Sequence, residues 1–102
     1  MADQEVAGID VTLRFEMGYT PAEFQQRMPA FADVTYDVAL ARFDHVEDDK
    51  NWSLRLINPR RRAIALLRVP TVDVELVFRG YSQPEIDAFM KRFQAWFHRG
   101  GG

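Results

Sequence analysis

The sequence predicts an α+β fold: a two-layer domain of order β-α-β-β-β-β-α, whose antiparallel sheet carries both helices on one face. Three observations lead there. Over residues 71–99 an alternating strand runs through a short turn into a capped amphipathic helix. A similar unit opens the chain. The stretch between them alternates apolar and polar residues, broken by short links.

Residues 1–7 are polar and are expected to form a flexible N-terminus, followed by a single domain over 8–99 and a flexible glycine tail at 100–102. Ile9, Val11, Leu13 and Phe15 alternate with Asp10, Thr12, Arg14 and Glu16, the period of a half-buried strand. Met17-Gly18-Tyr19 turns the chain. Thr20 is placed to cap a helix, with Pro21 at its first position and Glu23 completing a capping box. Phe24, Met28 and Phe31 form its apolar stripe. Pro29 lacks a backbone donor and crowds the preceding turn, so the helix is expected to end or kink there.

Asp33 to Phe43 alternates again, with Val34, Tyr36, Val38 and Leu40 on one face, and residues 44–51 read as a polar connection. Trp52, Leu54 and Leu56 alternate with Ser53, Arg55 and Ile57. Asn58-Pro59 is a turn signal, which puts the run Arg60-Arg61-Arg62 near a hairpin tip. Ala63 to Val69 reads as a further strand, broken at Val69-Pro70-Thr71. In the last strand Val72, Val74, Leu76 and Phe78 point one way. Ser82 and Glu85 have capping-box spacing, and Ile86, Phe89, Met90 and Phe93 continue the helical stripe to Trp96 or Phe97. Adjacent helix positions differ by roughly 100°, so only one of those two can face inward.

The first and last units match position by position. Ile9-Asp10-Val11-x-Leu13-x-Phe15 parallels Val72-Asp73-Val74-x-Leu76-x-Phe78, and Gly18-Tyr19-Thr20-x-x-Glu23 parallels Gly80-Tyr81-Ser82-x-x-Glu85. Duplication would explain this, and so would convergence, since each position has its own local reason. The element order resembles that of a TATA-binding-protein repeat in topology, with no sequence motif that carries a function across. A ferredoxin-like arrangement is the alternative. It needs one strand fewer in the middle and another after the last helix, which the terminal glycines cannot supply.

The 102 residues include 47% apolar and 13% aromatic side chains, which suits one folded domain. No apolar run approaches the roughly 20 residues that span a bilayer, and Met-Ala-Asp-Gln-Glu lacks the basic start of a signal peptide. With no cysteine, thiolate metal sites are excluded, and a cytoplasmic location without a membrane partner is the expectation. The net charge of −2 conceals an asymmetry. Residues 1–49 carry eleven acids against three arginines, whereas residues 50–72 carry six basic residues and no acid. A basic segment of this kind can attract an anion or pair with the acidic half.

The sequence shows no nucleophile–base pair, no Gly-rich phosphate loop and no EF-hand, so catalysis, a cofactor and a metal are not expected. The expected role is a small non-catalytic binding or assembly domain. If the helices cover one side of the sheet, the other carries Val77, Ile57, Ile64 and Leu66 among arginines, more apolar than a solvated face. Those four residues are the expected interface of a homodimer or protein partner. Two alternatives stand beside it. One is an anion- or nucleic-acid-binding domain using Arg55, Arg60, Arg61, Arg62 and Arg68, whose guanidinium groups suit phosphate or carboxylate. The other is a small-ligand carrier or enzyme with a pocket between the last helix and the sheet, walled by Phe89, Phe93, Trp96 and Phe97.

Overall fold

The structure is a computed structural model that describes residues 10–98. The expectations for residues 1–7, for Ile9 and for the glycine tail lie outside those residues. The elements are β1 (Asp10–Met17), α1 (Pro21–Phe31), β2 (Thr35–Asp37), β3 (Arg42–Glu47), β4 (Lys50–Ile64), β5 (Leu67–Arg79) and α2 (Gln83–Trp96). All strand pairs are antiparallel, in the spatial order β1-β5-β4-β3-β2. This is the α+β order read from the sequence.

Both helices start as their residues dictate. Thr20 Oγ1 accepts from the Glu23 amide and the Glu23 carboxylate accepts from the Thr20 amide; Ser82 and Glu85 repeat the arrangement. α1 continues through Pro29 and stops two residues later, at Phe31. The two helices lie over one face of the sheet. That face carries Val72, Val74, Leu76 and Phe78 of β5, Trp52, Leu54 and Leu56 of β4, and Phe43 of β3, all buried.

Rings join the layers. Phe24 stacks on Phe97 with centroids 5.0 Å apart, Phe97 meets Phe93 at 4.7 Å, and Phe31 meets Phe93 at 5.7 Å. Trp52 and Phe78 each meet Phe89 at 5.0 Å. The buried Tyr19 hydroxyl donates to the Phe97 carbonyl at 2.7 Å, closing the C-terminus of α2 against the start of α1. Phe97 is the inward member of its pair. Trp96 stays 38% exposed, its Nε1 donating to the Arg27 carbonyl while Arg27 donates to the Trp96 carbonyl.

The strand boundaries in the middle of the chain differ from expectation. The alternation over 33–43 is cut by a turn at 38–41, where the Asp37 carboxylate accepts from the Leu40 amide and Ala41 adopts φ 50°. Val38 and Leu40 are therefore exposed rather than inward. The expected polar connection at 44–51 is mostly strand: 44–47 belong to β3 and 50–51 to β4, with the turn at Asp48-Asp49.

Asn58-Pro59 is a bulge, not a hairpin turn. The register steps from Ile57↔Asp73 to Arg60↔Thr71, so two residues oppose one, and Asn58 takes φ 55°. Proline, without an N–H, is tolerated at such a break in the ladder. Strand pairing resumes through the arginine run to Ile64↔Leu67, and the hairpin turns at Ala65-Leu66. Pro70 does not break β5, which faces Arg61 there and runs on to Arg79.

Beyond Met17↔Val72 on one side and Arg42↔Arg55 on the other, β4 and β5 pair only with each other among the described residues. This two-stranded arm lengthens the molecule to 57 × 27 × 22 Å. Its Cα radius of gyration is 15.1 Å, against about 13 Å for a compact chain of this length.

β1 and β5 pair from Asp10↔Arg79 to Met17↔Val72. The register is unchanged when matched positions of the two similar units are exchanged. Val11↔Phe78 becomes Val74↔Phe15, and Leu13↔Leu76 maps onto itself. A local pseudo-twofold thus relates the two strands.

Candidate functional site

On the helix-free face, alternation exposes the charged side chains of β1, β5 and β4, and they pair across strands. Arg14 reaches Glu75 at 2.8 Å and Arg55 reaches it at 3.3 Å. The bond from Arg14, with Arg55 beyond it, holds the Glu75 carboxyl below its ordinary range despite partial burial. The bulge shifts the alternation by one residue, which brings Arg60 and Arg62 to this face. Arg60 bonds Glu16 at 2.7 Å and Asp73 at 3.2 Å, and Arg62 bonds Glu16 at 3.0 Å. Ile57 and Val77 sit half-buried within this lattice, Val77 opposite Thr12 and Ser53. A shallow recess of about 290 Å³ opens there, lined by Arg14, Phe15, Glu16, Ile57, Asp73, Val74 and Glu75.

The structure separates residues that the sequence grouped. Ile57 and Val77 share the central sheet face, while Ile64 and Leu66 lie far out on the arm. Every residue from Arg61 to Arg68 is exposed, including Ile64 at 52%, Leu66 at 100% and Leu67 at 67%. Arg61 and Arg68 make no ion pair among the described residues, in contrast to Arg55, Arg60 and Arg62. The arm is an apolar tip set between arginines.

A second candidate lies at the other end of β4. An open cleft of about 450 Å³ is bounded by the N-terminal half of α2, the end of α1 and the turn between β3 and β4. Its aromatic lining is Phe31, His45, Trp52, Tyr81 and Phe89, so Phe89 alone of the expected pocket walls contributes to this cleft; Phe93 and Phe97 are core. His45 stacks on Trp52 at 5.5 Å, and its Nδ1 donates to the Asp33 carbonyl at 2.6 Å. Its Nε2 stands 3.9 Å from the Glu47 carboxylate. Tyr81 donates to Glu47 at 2.8 Å, and Lys50 bonds Glu85 at 2.6 Å. Arg92 lies over Phe31 at 4.8 Å and Phe89 at 5.8 Å.

Burial, then the bond and charge of Glu47, push the Tyr81 phenol well above its ordinary value, so it stays protonated. The bond from Lys50, helped by the Ser82 amide, holds Glu85 at about 2, and the same bond raises Lys50. Glu85 therefore favours the folded state fully above its ordinary value of 4.5, and that contribution fades as pH falls toward 2. Lys50 contributes below its ordinary 10.5 and loses this only as pH rises beyond it. Glu85→Gln keeps the capping acceptor and removes the charge. The melting temperature of wild type should exceed that of the variant at about pH 7, and the gap should narrow below about pH 4.5 and close near about pH 2. A gap independent of pH would refute the ionic assignment.

The sequence suggests a pocket between the last helix and the sheet with Phe89 in its wall, but not the lining by His45 and Glu47, which lie in a stretch with the composition of a polar loop. Their i, i+2 spacing, continued from Phe43, was the available signal of one strand face. Among the described residues no three acidic or histidine side chains converge as a metal site, and no helix is long and apolar enough to cross a membrane.

Comparison with protein-family models, curated proteins and solved structures gave no match. The likeness to a TATA-binding-protein repeat stays one of element order.

Proposed function

We propose that this chain is a small non-catalytic binding and assembly domain that associates with copies of itself. The observation that carries this reading is the arm, which holds Ile64, Leu66 and Leu67 in water at the end of a ribbon with no sheet neighbour among the described residues. A two-stranded ribbon is marginal by itself, and exposed apolar residues gathered at one place mark a contact surface. The sheet face with Ile57 and Val77 remains the second element of the proposed interface, although its charges are already paired within the chain. The ionisations at the cleft also favour a binding role. Tyr81 stays neutral, Lys50 and Glu85 stay charged, and none is moved toward the range where acid–base catalysis operates. The absence of cysteine suits a reducing compartment, and we place the domain in the cytoplasm.

The test is sedimentation equilibrium over a concentration series at low and high salt. Self-association should persist at high salt, because apolar burial is not screened. A monomer under all conditions would refute the proposal. Arg61 and Arg68, without carboxylate partners among the described residues, favour the anion-binding reading as the second choice. It would show as binding to duplex nucleic acid that weakens steeply with salt.

A further inference from the structure

We infer that self-association is head-to-tail: the arm tip of one copy enters the cleft beside α2 of the next. This rests on the assembly reading above and names its two surfaces. β4 joins them within one chain. It has 15 residues, from Lys50 at the cleft to Ile64 at the tip. At about 3.3 Å per residue those ends are about 46 Å apart, so an arm cannot reach its own cleft.

The two ends are complementary. The arm carries Arg60, Arg61, Arg62 and Arg68 with no acid between them; Arg60 and Arg62 already bond Glu16 and Asp73, which leaves Arg61 and Arg68 without an ion pair among the described residues. The cleft and its adjoining turn carry Asp33, Glu47, Asp48, Asp49 and Glu85 against Lys50 and Arg92. Lys50 is already bonded to Glu85, and Arg92 lies over the two phenylalanine rings. Half-buried Phe31, with the small exposed edges of Trp52 and Phe89, offers apolar surface to Leu66 and Leu67, while the carboxylates meet Arg61 and Arg68 behind them. Because the two surfaces differ, the contact is heterologous. It leaves a free arm at one end and a free cleft at the other, so assembly continues as open chains unless the rotation closes a ring.

The experiment uses two variants at exposed positions. Leu66→Asp with Leu67→Asp removes the apolar tip. Ala88→Arg places a long cationic side chain in the cleft from the solvent side of α2, with good helix propensity. Unchanged far-ultraviolet circular dichroism and melting temperature confirm that both fold. In sedimentation velocity the wild type should grow with concentration beyond two copies. Each variant alone should associate about 100-fold more weakly. An equimolar mixture should form pairs and nothing larger, since it holds one working arm and one working cleft per pair.

A closed dimer that survives Ala88→Arg would overturn the head-to-tail contact and leave self-association standing. A wild type that is monomeric throughout would overturn both. A monomer whose arm, through Leu66, binds vesicles containing phosphatidylserine would assign the tip to a lipid surface and also overturn both.

Discussion

Phe93→Ala should lower stability by about 3–5 kcal/mol, the largest loss expected from a single substitution here. Phe93 is 1% exposed and touches rings from three elements: Phe15 of β1, Phe31 of α1 and Phe89 of its own helix, with Phe97 just beyond. Truncation removes ring contacts on several sides at once. The surrounding rings are fixed by the sheet and cannot collapse fully into the space. For a domain of this size the loss corresponds to roughly 15–30 °C in melting temperature. Trp96→Ala, three positions along the same helix, is the control. Its ring is partly in water, and the change should cost about 1 kcal/mol. Equal losses at the two positions in denaturant melts would show that the core is not organised around Phe93.

Gly80→Ala should cost about 2 kcal/mol, although it adds a single methyl group. Gly80 has φ 85°, and a Cβ there would lie 3.1 Å from the Asp49 carbonyl oxygen and 3.5 Å from the Lys50 Cα. Both neighbours are backbone, so relief requires moving the turn between β3 and β4. Gly18 occupies the matched place in the first unit, where the nearest atom to an added Cβ is the Pro70 carbonyl at 3.7 Å. Gly18→Ala should therefore stay within about 0.5 kcal/mol of wild type. Thermal melts of the pair measure the contrast, and a Gly80→Ala variant as stable as Gly18→Ala would refute it.

Most of the fold was legible because local chemistry and tertiary packing agree there. Thr20 and Ser82 cap as their spacing requires, and the alternation of β1, β5 and the first half of β4 points the same residues at the helices. Legibility failed where two local signals compete. Asn58-Pro59 carries the composition of a turn, yet a bulge satisfies the same residues, and only cross-strand pairing with β5 decides between them. The turn at 38–41 is nucleated by Asp37 within an alternating run, and the alternation concealed it. At Ala65-Leu66 the chain turns with neither glycine nor proline, so the arm tip left no mark in the sequence. These three misplacements account for the scattered interface set: Ile64 and Leu66 were assigned to the sheet because the arm itself could not be foreseen. Most of the cleft's lining was hidden for a related reason, since its groups come from five separate stretches brought together by the sheet order.

The pairing of β1 with β5 has a consequence for how the chain is made. Met17 and Val72 are 55 positions apart, and Asp10 and Arg79 are 69 apart. At ordinary synthesis rates of about 5–20 residues per second, β1 leaves the ribosome roughly 3–11 s before Val72, the first residue of β5 with which it pairs. During that interval Val11, Leu13, Phe15 and Met17 have no sheet to join. β1 thus waits for β5, and biosynthesis leaves an apolar segment open to chaperones until residues 72–79 have emerged.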